Sequence, residues 1–182
     1  MSSSASRRER AAQEKAARKL NRETIVLEFA FGPGALKYHG PIITTSLTIT
    51  QAHRDALAAA GAPIPAPVSC RFLLDTGADG CVVKHDVAVQ AGLKLINANA
   101  PLHGVGVDTT GKAYMGRVLF GVTSRVVAGA QHQLYVDTQV MSGDLKTTLF
   151  DGLIGRDVLQ HFTLTYDGKT GRVTMRYHRP QP

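Results

Sequence analysis

Cys70-Arg71-Phe72-Leu73-Leu74-Asp75-Thr76-Gly77-Ala78-Asp79-Gly80-Cys81-Val82-Val83 is the stretch on which the reading of the chain turns. The apolar run Phe72-Leu73-Leu74 stops at a carboxylate, a hydroxyl and a glycine, and a second apolar run resumes at Cys81. A short apolar run bounded by turn residues is the pattern of a buried strand. Asp75 is therefore expected at the end of such a strand, facing the cleft that the strand borders. A carboxylate there is costly unless it is bonded, paired or used. Thr76 offers a hydroxyl to hold it, and Gly77 allows a backbone amide to come close.

The segment Leu73-Leu74-Asp75-Thr76-Gly77-Ala78 resembles the active-site signature of the aspartic proteases, and the alanine after the glycine favours the retroviral-type branch. Two further blocks follow in order. Gly104-Val105-Gly106-Val107 is similar to the strand leading into that family's flap. Leu153-Ile154-Gly155-Arg156-Asp157-Val158-Leu159 is similar to its second signature, two apolar residues and a glycine followed by Arg and a short helix. The resemblance implies a mainly β fold, a closed retropepsin-like barrel with short helices, over residues 23–182. It also implies an aspartic endopeptidase.

Hydrolysis by carboxylates needs a base for water and an acid for the leaving nitrogen. Two aspartates about 3 Å apart cannot both ionise; they share a proton and supply both functions. The chain holds one Asp-Thr-Gly. Val107-Asp108-Thr109-Thr110 and Val136-Asp137-Thr138-Gln139 both lack the glycine. The second carboxylate is therefore expected from a second copy, in a twofold homodimer. The resemblance assigns catalysis to Asp75 and a bond across the dimer axis to Thr76. It assigns substrate contacts to Gly77, Ala78 and Asp79 and flap contacts to Gly104, Val105, Gly106 and Val107. It also implies a buried ion pair between Asp79 and Arg156. Family members interleave their chain termini into a shared sheet, for which Glu23–Phe31 and Arg172–Tyr177 are suitably strand-like. The alternative from a different class is a non-catalytic dimer that binds peptides or acts as a scaffold on the same fold.

Away from these blocks, Ile42–Thr50 reads as a half-exposed strand. Thr50–Gly61 reads as a helix with Thr50 as N-cap and Gly61 past its end, a helical insertion in the N-terminal hairpin. Pro63, Pro65 and Pro67 predict an extended connector behind it. Gly32-Pro33-Gly34 reads as a break. Lys84–Ala91 reads as a short helix, and Pro101–Val107 and Lys112–Val122 as strands joined by a turn at Asp108-Thr109-Thr110-Gly111. Gln133–Val140, Phe162–Asp167 and Arg172–Tyr177 read as further strands.

With 182 residues the chain suits one domain. Its net charge of +7 is uneven: residues 1–22 hold seven basic residues against two acidic ones, so that the remainder carries only +2. This tail has no aromatic residue to stack on bases and no sustained apolar face for lipid, so neither nucleic acid nor membrane is an expected partner. The partners expected are a second copy and a protein or peptide substrate. Two cysteines without a CxxC pair fit a reducing, cytoplasmic setting and no disulfide framework. No cofactor is expected. Asp75, Asp79 and Asp86 fall at calcium-loop spacing, but Gly77 stands where a ligand is needed and a strand precedes the loop, so no metal is expected. The seven histidines form no i, i+4 pair, and no phosphate loop or G-x-S-x-G elbow occurs.

Overall fold

The computed structural model describes residues 9–16, 24–104, 107–125 and 127–178. Residues 9–16 form a short exposed helix, α1, within the basic tail. The body then runs β1 (Val26–Ala30), α2 (Pro33–His39), β2 (Ile42–Thr48), α3 (Gln51–Ala59), β3 (Val68–Leu74), β4 (Cys81–Val83) and α4 (His85–Gln90). It continues with β5 (Lys94–Gly104), β6 (Val107–Thr123), β7 (Gln131–Ser142), β8 (Gly152–Ile154), α5 (Arg156–Leu159), β9 (Phe162–Asp167) and β10 (Arg172–Tyr177).

Six strands close into a barrel in the order β2-β3-β8-β4-β7-β6. The closure is made by β2 on β6, with Ser46 opposite Leu119 and Thr48 opposite Arg117. β5 extends the sheet from β6. The barrel's inward faces follow the period-two pattern of strands that are wet on one side. In β7 it is strict: Leu134, Val136 and Val140 are buried, while Gln133, Tyr135 and Gln139 are exposed. Phe72, Leu47, Val83, Val118, Phe120 and Ile154 fill the interior with almost no exposure. A second, three-stranded sheet in the order β1-β10-β9 packs Leu27, Val173, Met175 and Phe162 against the same core. Among the described residues no helix is long and apolar enough to cross a membrane.

The helical insertion is present between the paired strands β2 and β3, and the Thr50 hydroxyl accepts the His53 N–H at 3.3 Å. Gly61 takes the left-handed conformation, φ +64°, that ends the segment. Three sequence expectations need correction. Gly32-Pro33-Gly34 begins a helix as well as ending a strand, because a proline with its fixed φ suits the first helical turn, where its missing N–H costs nothing. β2 is half exposed only as far as Ser46, where Ile42, Thr44 and Ser46 alternate with buried Ile43, Thr45 and Leu47; beyond it Thr48 is buried as well. The third concerns Asp108-Thr109-Thr110-Gly111, which is no turn: it lies within β6, paired to His103, Leu102, Pro101 and Ala100. Gly111 is there because a Cβ would come within 2.2 Å of the Ser142 carbonyl, a demand of strand packing rather than of chain reversal. Gly104 and Val107 are the last pair of the β5–β6 ladder.

Both cysteines are free and buried. Burial, then the charge of Asp151, pushes the Cys70 thiol up to about 11. Burial, followed by the charge of Asp157, pushes Cys81 higher still.

Candidate active site

The site is built where β8 slides between the two halves of the quoted stretch. β8 runs parallel to β3, with Leu74 opposite Ile154, and antiparallel to β4, with Val82 opposite Leu153. Asp75 is the first residue past β3, and its N–H still donates to the Ile154 carbonyl at 3.0 Å. Its carboxylate thus stands at the rim of the barrel, half-buried.

Asp75 Oδ1 accepts the Gly77 N–H at 2.8 Å, and the Ala78 N–H closes the turn on the Asp75 carbonyl at 3.2 Å. A Cβ on residue 77 would lie 3.1 Å from Asp75 Oδ1, so glycine keeps space beside the carboxylate. The holder is therefore the Gly77 amide and not the Thr76 hydroxyl offered by the sequence reading. Thr76 is exposed, and among the described residues no side chain or backbone group meets its hydroxyl.

The second block locks this loop from beneath. The Arg156 N–H donates to Ala78 C=O at 2.9 Å and the Asp157 N–H to Asp79 C=O at 3.1 Å. Gly155 meets Gly80 backbone to backbone, since a Cβ on residue 155 would fall 2.5 Å from the Gly80 oxygen. The Arg156 side chain donates to the Thr76 carbonyl at 2.8 Å and forms an ion pair with Asp79. That pair was expected to be buried. It is not: the Asp79 side chain is 92% exposed and that of Arg156 52%, because the loop lies on the open face of the single chain. An exposed pair contributes at most about 1 kcal/mol rather than the several of a buried one.

Asp157 is the residue that sequence reasoning passed over. Its carboxylate accepts the Cys81 N–H at 3.1 Å, the Val158 N–H at 2.9 Å and the hydroxyl of buried Thr138. It thereby ties α5 to the start of β4 and to the inner face of β7. The only sequence signal was its place after Arg156; the Thr138 partner, on another strand, was invisible. Thr138 belongs to a second Asp-Thr candidate, whose Asp137 is instead engaged by Arg117 at 2.9 Å on the outside of β7.

Of the flap residues, Gly104 and Val107 pair at the far end of the β5–β6 hairpin, while Val105 and Gly106 lie outside the described residues. At the hairpin's base a groove of about 630 Å³ is flanked by Lys84, His85, Thr110, Lys112 and Leu145. His85 there meets the Tyr114 hydroxyl at 3.2 Å and Lys112 Nζ at 3.5 Å. Asp75 is not part of this groove's lining.

A family model described as "Aspartyl protease", of the retropepsin-like kind, matches residues 65–158. The chain belongs to the aspartyl protease family. The match runs from just ahead of β3 into α5, and so takes in the Asp75 loop, the hairpin and the Gly155–Asp157 lock. A peptidase is supported at that level. Of the body, the aspartyl protease match leaves out β1, α2, β2, α3, β9 and β10. No curated protein matches the chain.

Proposed function

We propose that the protein is an aspartic endopeptidase that works as a homodimer, each chain giving one Asp75. The observation that carries this is the state of Asp75 itself. One carboxylate oxygen is fixed by its own loop, Thr76, the next residue, is exposed, and the chain has no other Asp-Thr-Gly. Asp137, the other candidate with a described side chain, is held by Arg117 on the outer face.

In the dimer the two Asp75 carboxylates share one proton. The ionised member takes a proton from the attacking water; the protonated member delivers its own to the leaving nitrogen. Thr76 bonds across the axis and stiffens the pair. An extended peptide lies over Gly77, Ala78 and Asp79, taking main-chain hydrogen bonds as an added strand. The β5–β6 hairpin, through Gly104, Val105, Gly106 and Val107, closes over it and excludes water. Arg156 supports the loop through the Thr76 carbonyl. Two free, buried cysteines suit the reducing cytoplasm proposed as its location.

The test is incubation of the wild-type chain and Asp75→Asn with a peptide library at mildly acidic pH, read by mass spectrometry. Cleavage by the wild type and none by the variant is the expected result. Adding excess Asp75→Asn chain to wild type should also suppress cleavage, because mixed dimers hold only one ionisable member of the dyad. Cleavage by Asp75→Asn at the wild-type rate overturns the mechanism. Saturable peptide binding with no cleavage by either protein would favour a binding module on this fold.

A further inference from the structure

We propose that the pocket beside the helical insertion is a second binding site, which takes a carboxylate carried on an apolar body. The pocket measures about 340 Å³, within the range of small-ligand sites. Arg54 of α3, Pro67 at the end of the proline connector, Arg117 of β6 and Tyr135 of β7 all line it. So does Thr48, the last residue of β2, which stands opposite Arg117 in the ladder that closes the barrel. β2 and β3 are antiparallel, with Leu47 opposite Val68 and Ile42 opposite Leu73. The pocket therefore lies at the end of β3 away from Asp75, and the site is separate from the peptidase cleft.

The pocket is rich in donors, and no carboxylate lines it. The Arg117 side chain is only 15% exposed, and its Nε and one terminal nitrogen donate to Asp137. A guanidinium carries five N–H groups in a planar fork, so the other terminal nitrogen keeps its donors. The group is centred 4.9 Å from the Tyr135 ring. Arg54 is half-buried, and among the described residues its guanidinium meets no hydrogen-bond or ion-pair partner. Two buried side-chain atoms among the described residues also lack a partner, Thr48 Oγ1 and His53 Nδ1. Native folds leave few such groups, and both of these fall at the junction of β2 and α3. α3 buries none of its residues, Leu57 being only partly covered, so core packing is a weak reason for the insertion.

Charge decides the class of ligand. Arg54 and Arg117 bring two positive charges to the pocket, and Asp137 cancels one of them. Asp55, next to Arg54, is exposed and accepts from Gln51 Nε2 at 2.7 Å. What remains suits a monoanion better than a phosphate dianion. A carboxylate is also the planar acceptor that a guanidinium binds with two parallel bonds. Ile49, Pro67, Leu119 and the Tyr135 ring supply apolar surface for the rest of the ligand. Free organic acids and the acidic side chains of polypeptides share this chemistry, and the experiment separates them.

The experiment follows the arginine Nε–H signals of the isotope-labelled full chain by NMR while sodium benzoate replaces sodium chloride at constant ionic strength and neutral pH. Saturable shifts of the Arg54 and Arg117 signals are expected. Arg54→Gln should raise the benzoate dissociation constant about ten-fold and leave Tm unchanged, since Arg54 has no partner to lose. Thr48→Val should weaken binding without lowering Tm, because an unpartnered hydroxyl has no bond to give up. The peptide acetyl-Leu-Glu-Leu-amide and its Gln counterpart then identify the source. Displacement of benzoate by the Glu peptide alone assigns the site to acidic side chains of polypeptides, and displacement by neither assigns it to free organic acids. Absence of saturable shifts at Arg54 and Arg117, or benzoate binding untouched by both Arg54→Gln and Thr48→Val, overturns the proposal.

Discussion

Asp157→Ala is the sharpest probe of how the two signature blocks hold together. The carboxylate collects three long-range bonds, from the Cys81 N–H, the Cys81 thiol and the Thr138 hydroxyl, besides the local one from Val158. Alanine takes the acceptor from the Cys81 N–H and thiol, and leaves the buried Thr138 hydroxyl only its long contact to the Gln139 carbonyl at 3.4 Å. Bonds to a charged acceptor contribute about 1.5–3 kcal/mol each, and losses within one cluster are not additive. A total near 3 kcal/mol follows. For a chain of this size that lowers Tm by about 6–12 °C. Urea unfolding at pH 7 followed by circular dichroism gives the first number and calorimetry the second. Thr138→Val, which removes one of the bonds, should fall at about a third to half of the loss. Peptidase activity should drop together with stability, because the loop carrying Asp75 rests on this lock. A change below about 0.5 kcal/mol would refute the reasoning, since it would mean that the carboxylate merely borders the loop.

Arg156→Ala should cost the isolated chain only about 1 kcal/mol in urea unfolding, as its ion pair with Asp79 is exposed. Its peptidase activity should fall much further, and equal loss of both would argue against a positioning role. Asp151 is subject to burial, which pushes its pKa up, but the Arg71 N–H and the charges of Arg71 and Lys84 outweigh this and hold it below the usual carboxylate range. A carboxyl depressed in the fold stabilises above its unfolded pKa and loses that contribution as pH falls through its folded pKa. Asp151→Asn should therefore lower Tm at neutral pH and narrow the gap to wild type below about pH 4, as a pH series of melting curves will show.

The elements legible from sequence were those in which local chemistry and final environment agree. Leu73-Leu74 and Leu153-Ile154 are apolar because they are central strands; Thr50 and Gly61 carry helix-end chemistry that needs no tertiary partner. Where the two diverged, local composition misled. Gly111 and Asp108 look like a turn, yet Gly111 is a point of close strand contact. The Asn97–Ala100 stretch has little strand propensity and is strand all the same, carried on β6 with shifted register.

By itself the sequence determined the chemistry at hand: a single Asp-Thr-Gly at the end of an apolar strand, with the second block to support it. Those are properties of neighbours in the chain, and nearest neighbours are what side-chain type and spacing encode. Only the tertiary structure decided that the Gly77 amide holds Asp75, that Asp157 reaches Thr138, that the Asp79–Arg156 pair is exposed, and that β10 is paired on both sides, by β1 and β9. Each of these is set by the closing of the barrel and the register of strands far apart in sequence. A hydrogen bond or a buried charge depends on that three-dimensional neighbourhood, which no local pattern specifies.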